Sequence, residues 1–117
     1  MLKKYIPLVR AYDCADYDPI DSWIFEDLSE VDFWLNISVG VEGHEATNNF
    51  QLHVVTQRTI SMLEDKKYLL VIPYYSWDVV IKEINKILST CIGVSWEGMC
   101  FDISKHFLWE YEGAERS

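Results

Sequence analysis

The sequence predicts an α+β fold, in which a mostly antiparallel sheet carries two or three helices packed on one face. Several short segments alternate hydrophobic and polar residues, which is typical of strands with one buried face. Two later segments repeat their hydrophobic residues every three or four positions, which is typical of amphipathic helices. The length of 117 residues suffices for one core and is short for two. We therefore expect residues 1–117 to form a single domain.

The first segment with a strand pattern, residues 4–12, mixes β-branched and aromatic side chains with polar ones. Because Pro7 has no backbone N–H to donate, we expect this strand at a sheet edge or at a bulge. Residues 14–30 follow neither periodicity, and the pair Asp18-Pro19 is typical of a turn. This stretch is predicted to be a long surface loop.

Residues 32–54 have the pattern of a β-hairpin. Glycine and asparagine supply turn chemistry between two alternating segments, at Gly40, Gly43, Asn48 and Asn49. The inward-facing positions of the two strands are predicted to be Phe33, Leu35, Ile37, Val39, Phe50, Leu52 and Val54.

The second half of the chain begins with a short helical segment at residues 59–64 and then an apolar run, Tyr68–Ile72. We interpret this run as a central strand that is buried on both faces and ends at Pro73. Ser76 is a candidate cap for a helix, since its side-chain oxygen can accept from a free N–H of the first turn. The core-facing stripe of this helix is predicted to be Val80, Ile81, Ile84, Ile87, Leu88 and Cys91.

A second helix is predicted after Gly93, with Ser95 as its cap. Its hydrophobic residues at helical spacing are Trp96, Met99, Cys100 and Ile103. Residues 107–112 alternate aromatic and other side chains and predict a closing strand with one aromatic face. Trp77, Trp96 and Trp109 are assigned to the core or its rim rather than to ligand stacking.

Composition and charge exclude several functions. The formal net charge of -9 disfavours nucleic acid as a partner, because binding a phosphate backbone depends on clustered lysine and arginine. A basic protein partner suits this charge better. The apolar run at residues 68–75 is far shorter than the roughly 20 residues of a membrane-spanning helix, and the N-terminus has no apolar run of signal-peptide length. We therefore expect no membrane contact and a cytoplasmic location.

Templates for catalysis and for cofactors are missing from the sequence. It has no glycine-rich phosphate loop, no pair of histidines at helical metal-ligand spacing and no Gly-x-Ser-x-Gly motif. The three cysteines are odd in number and far apart, so we expect reduced, buried thiols. His44 is placed at a hairpin tip, His53 on the solvent-facing side of a strand and His106 at a helix end. No catalytic activity, no cofactor and no metal are predicted.

The acidic loop, which we define as residues 13–32, is the strongest local signal. It contains eight carboxylates and no lysine or arginine. Charge alone favours a solvated loop that maintains solubility, but large apolar residues are interleaved with the acids, among them Tyr17, Ile20, Trp23, Ile24 and Phe25.

Aromatic residues among carboxylates are typical of a protein interface, although Trp23 and Phe25 could instead anchor the loop to the core. The exposed strand face bearing Trp34, Asn36 and Ser38 is the next candidate. The predicted partner-binding residues are Asp13, Asp16, Tyr17, Asp18, Asp21, Trp23, Glu26, Asp27 and Glu30.

The order of motifs after residue 32 resembles the immunity protein 8 family of bacterial polymorphic-toxin systems. The first thirty residues do not contribute to this resemblance. The motifs are FWLNISVG at 33–40, NFQLHVVT at 49–56, YLLVIP at 68–73, Trp77 at a helix start, SWE at 95–97 and WEYE at 109–112.

The resemblance implies a protein without catalytic activity that binds and neutralises a cognate toxin domain and so protects the producing cell. Many such toxins are nucleases with basic substrate-binding faces, which an acidic surface could cover. We expect a monomer in a 1:1 complex. A different class of function is a non-catalytic acidic adaptor or regulatory subunit of a larger assembly. A small enzyme would instead require a pocket that holds a histidine or cysteine beside a carboxylate.

Overall fold

The computed structural model describes residues 4–110, and within them five strands form one sheet in the order β1-β2-β3-β4, with β5 beside β3. All pairings are antiparallel except that of β3 with β4. The predicted α+β class with a mostly antiparallel sheet is confirmed. The strands are β1 (Pro7–Asp13), β2 (Asp32–Val41), β3 (Thr47–Thr56), β4 (Leu69–Ile72) and β5 (Leu108–Trp109). The helices are α1 (Trp77–Leu88) and α2 (Trp96–Ile103). Single 3₁₀ turns span Ile20–Ser22 and Ile60–Met62.

The hairpin of β2 and β3 forms the centre of the sheet. Its ladder is unbroken from the pair of Asp32 with Val55 to the pair of Gly40 with Thr47. The predicted inward-facing residues of both strands are all buried. The prediction for the turn was wrong in part, because Gly40, Asn48 and Asn49 lie in the strands. Only Gly43 lies in the turn, where its φ of +86° favours a residue without a side chain.

The two outer strands differ in how well the sequence predicted them. β1 lies at the sheet edge, as Pro7 indicated, and its register shifts between Val9 and Ala11. The prediction that residues 68–72 form a central strand buried on both faces was wrong, since β4 is the opposite edge strand and Val71 is 42% exposed. An apolar run of this length fits an edge strand with one buried face equally well, because the neighbours of a strand are not encoded in its own residues.

Both helices contribute to one core on one face of the sheet. Val80, Ile84 and Leu88 of α1 are buried together with Met99 and Ile103 of α2 in the same cluster as the inward residues of β2 and β3. The predicted placement of the helices is therefore confirmed. The opposite face of the sheet carries no helix among the described residues.

The two helices differ in how their N-termini are capped. Ser95 Oγ accepts a hydrogen bond of 3.0 Å from the backbone N–H of Gly98, whereas Ser76 precedes α1 without a capping bond from its side chain.

The helix expected at 59–64 is reduced to one 3₁₀ turn. The closing strand is shorter than predicted, and residues 111 and 112 lie outside the described residues. The three tryptophans assigned to the core or its rim pack against it, namely Trp77, Trp96 and Trp109.

Candidate partner-binding surface

The acidic loop is held to the core by an aromatic cluster. The ring centroid of Phe25 lies 4.4 Å from that of Tyr75 and 5.8 Å from that of Phe33. Tyr17 packs edge-on against Phe25 at 4.8 Å. Ile20, in the 3₁₀ turn, is buried in the core. The middle of the loop therefore has a fixed position on the protein despite its lack of regular structure.

The two interpretations of the loop aromatics apply to different residues. Phe25 anchors the loop, since it contacts two core rings. Trp23 is 39% exposed and contacts Tyr17 at 5.3 Å, while the neighbouring Ile24 is 90% exposed. Trp23 and Ile24 therefore present apolar surface to solvent among the carboxylates.

The last residues of the acidic loop are fixed by a buried hydroxyl. Thr56 Oγ1 donates to the backbone oxygen of Ser29 at 2.6 Å and accepts from the backbone N–H of Val31 at 3.1 Å. The Asp27 carboxylate accepts bonds from the hydroxyl and the backbone N–H of Ser29. These two bonds lower the pKa of Asp27, so the carboxylate stays ionised in its turn.

The carboxylates of the acidic loop are all exposed, as predicted for a surface loop. Among residues 4–110, two of them have a basic side chain in contact: Arg58 pairs with Glu30 at 3.8 Å, and His53 contacts Asp32. Asp21 accepts a hydrogen bond of 3.1 Å from the hydroxyl of Tyr12, which raises the pKa of that tyrosine. The field of the loop is therefore strongly negative.

The predicted site residues do not form a single cluster. A shallow concavity of about 470 Å³ brings five of them together with Ile24 and Phe25. Asp16, Asp18 and Asp21 are exposed elsewhere on the loop, and Asp13 lines a different groove. The five residues that share the concavity are Tyr17, Trp23, Glu26, Asp27 and Glu30.

A groove of about 490 Å³ lies on the helix-free face of the sheet and includes Asn36 and Ser38 of the second candidate face, whereas the position of the carboxylates at its sides was not predicted from the sequence. Asp13 of β1 and Glu110, which follows β5, lie at its two sides. Amide and hydroxyl side chains of β2 and β3 form its floor, namely Asn36, Ser38, Asn49 and Gln51. The sequence signal for this groove was the series of polar residues at alternate positions of β2 and β3, which pair with each other.

His53 lies at one end of the same sheet face, and its predicted exposure was wrong. It is 8% exposed, because the Trp34 ring stacks on the imidazole at 4.7 Å with an interplanar angle of 11°. The other predictions for histidine hold: His44 lies in the hairpin turn and His106 follows α2, where it is exposed.

The three cysteines, Cys14, Cys91 and Cys100, are free thiols in the core. Burial raises the pKa of Cys91 and of Cys100, which makes both thiols poor nucleophiles at neutral pH. Within residues 4–110, no group of three or more His, Cys, Asp or Glu side chains could hold a metal ion. In the same part of the chain, no helix is long and apolar enough to cross a membrane.

Comparison with known proteins agrees with the resemblance in the sequence. No curated protein and no solved structure matches the chain. The family model for Immunity protein 8 matches residues 8–113, which include the acidic loop and every strand and helix except the first residue of β1. A match over this length establishes the family: the chain belongs to the Immunity protein 8 family.

Proposed function

We propose that this immunity protein neutralises a toxin domain with nuclease activity by covering the basic active-site face of the toxin with the acidic loop. Membership of the family implies binding of a cognate toxin and a role without catalysis. The observation that carries the finer proposal is the concentration of eight exposed carboxylates in residues 13–32. A nuclease needs a cationic face for its phosphate substrate, and such a face is complementary to this loop.

The carboxylates and the apolar residues of the loop have separate roles in this proposal. Exposed charges such as those of Asp16 and Asp18 act at long range, so they accelerate the encounter with a basic partner. Trp23 and Ile24 act at contact, since burying exposed apolar surface stabilises the complex after encounter. The concavity beside Trp23, with Glu26 and Glu30 in its lining, offers space for a cationic side chain of the toxin.

The order already present in the loop supports its use as a binding surface. Phe25, Ile20 and Thr56 hold the loop in place before any partner arrives. A preformed surface loses little conformational entropy on binding, which favours high affinity. We further propose that the free protein is a cytoplasmic monomer and that it forms a 1:1 complex.

The test is binding to the toxin domain encoded beside this gene, measured as association and dissociation rates at two salt concentrations. Asp16→Lys and Asp18→Lys should each slow association and weaken its salt dependence, with little change in dissociation. Glu83→Lys, on α1, is the matched control because it makes the same charge change on the helix face of the protein. Asp21 is less suitable, since it also accepts the Tyr12 hydrogen bond.

Three results would contradict parts of this proposal. Wild-type association rates in both loop variants would exclude the loop as the steering surface. A complex that forms but leaves the toxin active would exclude neutralisation by covering the active site. Failure of the wild-type protein to bind the toxin would instead favour an acidic adaptor that uses the same surface in another assembly.

A further inference from the structure

We propose that the groove on the helix-free sheet face binds an extended, arginine-bearing segment of the toxin, as a second contact beside the acidic loop. The identity of the partner rests on the proposed function, whereas the preference for arginine rests on the groove itself. Its volume of about 490 Å³ lies in the range of roughly 300–1,000 Å³ that is usual for ligand sites.

The floor of the groove is held by two chains of hydrogen bonds that each end at a carboxylate. In the first chain, Gln51 Nε2 donates to Asn36 Oδ1 at 2.8 Å, and Asn36 Nδ2 donates to Asp13 Oδ2 at 3.4 Å. The amides are thereby oriented before a ligand binds, so little side-chain entropy remains to be lost.

The second chain runs in the opposite direction across the sheet. Ser38 Oγ donates to Asn49 Oδ1 at 2.7 Å, and Asn49 Nδ2 donates to Glu110 Oε2 at 2.9 Å. A carboxylate offers about four acceptor positions, and each bond described here uses one. Asp13 and Glu110 therefore keep capacity for further donors.

The charge of the groove selects a cation. Its lining contains two carboxylates and, among the described residues, no lysine or arginine. Arg10 lies on β1, the strand that also carries Asp13. Its guanidinium donates to the carbonyl oxygens of Val41, at 2.5 Å, and of His44, at 3.0 Å. It is therefore occupied at the hairpin end of the sheet.

Arginine fits these features better than lysine does. Its planar guanidinium has five donors, which suit carboxylate and amide oxygens lying together. Its aliphatic stem can pack on the partly exposed Leu108, which lines the same groove. The two carboxylates lie on β1 and just after β5, about three strand spacings of roughly 4.8 Å apart, so an extended segment can engage both.

Continuity with the acidic loop explains how both contacts serve one partner. Asp13 is the last residue of β1 and the first carboxylate of the loop, so the negative surface passes from the loop into the groove. A toxin surface that extends around this end of β1 can therefore contact both the loop and the groove.

The groove can be tested without the toxin by nuclear magnetic resonance of the ¹⁵N-labelled protein. The probe is a capped peptide with two arginines separated by one residue, and the control is the same peptide with citrulline, which is neutral, in place of arginine. The arginine peptide should shift the side-chain amide resonances of Asn36, Asn49 and Gln51, and the shifts should disappear in Asp13→Asn/Glu110→Gln. Equal shifts from both peptides, or none from the arginine peptide, would overturn the proposal.

Binding to the toxin then separates this proposal from the proposed function. Glu110→Gln is the decisive variant because Glu110 lies outside the acidic loop, and it should weaken affinity about tenfold or more, as for loss of a hydrogen bond to a charged group. Glu83→Gln should bind like the wild type. Wild-type affinity in Glu110→Gln would overturn the groove contact while the loop remains the binding surface. If the wild-type protein does not bind the toxin, the proposed function fails, and the peptide titration alone decides whether the groove accepts arginine.

Discussion

The hydroxyl of Tyr75 donates a hydrogen bond of 2.8 Å to the backbone oxygen of Ile20, 55 positions away in the chain. Both residues are buried. The bond joins the 3₁₀ turn of the acidic loop to the segment that leads into α1. The position of the candidate binding surface therefore depends on a residue that cannot itself touch a partner.

Removing this hydroxyl should destabilise the protein without removing the ring. In Tyr75→Phe, the carbonyl of Ile20 loses the hydroxyl donor and keeps only the longer bond of 3.3 Å from the backbone N–H of Trp23, so the loss should be that of one hydrogen bond, about 0.5–1.5 kcal/mol. The free energy of unfolding from urea denaturation measures this loss. Tyr74→Phe is the matched control, since Tyr74 is exposed and should change stability little. Equal stabilities of the two variants would contradict the importance of the bond.

The same tyrosine predicts a dependence of stability on alkaline pH. Burial, together with the negative charge of Asp21 and with Cys14, raises the pKa of Tyr75 to about 12. In the unfolded chain a tyrosine titrates near its ordinary value of about 10. The stabilising contribution of the protonated hydroxyl is thus complete below about pH 10 and is lost as the pH rises toward 12.

The measurement is the free energy of unfolding of the wild type and of Tyr75→Phe across that pH interval. Stability should decrease more steeply with pH in the wild type, because only the wild type must ionise this buried group. The other tyrosines titrate in both proteins, so the difference between the two curves isolates Tyr75. Parallel curves would show that Tyr75 titrates normally.

Thr56→Val should loosen the end of the acidic loop. Thr56 is fully buried, and its hydroxyl bonds both the oxygen of Ser29 and the N–H of Val31. Valine has a similar shape but leaves the buried N–H of Val31 unpaired, at a typical cost of about 1–3 kcal/mol, and also removes the bond to the partly buried oxygen of Ser29. Faster hydrogen exchange at the Val31 amide should accompany the loss of stability. Thr47→Val is the control, because Thr47 is exposed, and unchanged exchange in Thr56→Val would contradict the prediction.

Ile84→Ala tests the packing of α1 on the sheet. Ile84 is fully buried in the core, so its truncation leaves a cavity and should cost about 2–5 kcal/mol in the free energy of unfolding. Asn85→Ala, one residue later on the exposed side of the helix, should change stability by less than about 0.5 kcal/mol. A loss for Ile84→Ala as small as that of the control would exclude this packing.

Trp23→Ala should mainly accelerate dissociation of the toxin complex. A buried aromatic anchor typically contributes about 2 kcal/mol or more, which corresponds to roughly a thirtyfold loss of affinity. Phe25→Ala is the comparison, since Phe25 contacts Phe33 and Tyr75 and its loss should reduce the melting temperature strongly. If Trp23→Ala reduces the melting temperature equally, then its effect on binding is indirect.

The sequence by itself determined those elements that depend on local periodicity. The alternation from Phe33 to Val39 predicted a strand and its buried face, and the spacing of Val80, Ile84 and Leu88 predicted α1 and its core stripe. Side-chain direction repeats every two residues in a strand and every 3.6 in a helix, so a few consecutive residues suffice for these predictions. The uneven distribution of charge likewise revealed the exposed carboxylates of the acidic loop.

Only the tertiary structure decided which elements are neighbours and what covers each side chain. The edge position of β4, the burial of His53 beneath Trp34 and the anchoring of Phe25 but not Trp23 all depend on contacts between distant parts of the chain. The groove is the clearest case, because Asp13 and Glu110 come from opposite ends of the sequence and each looks like an ordinary surface acid there. Strand pairing brings them to one face of the sheet, and pairing between distant segments leaves no periodic signal in either segment.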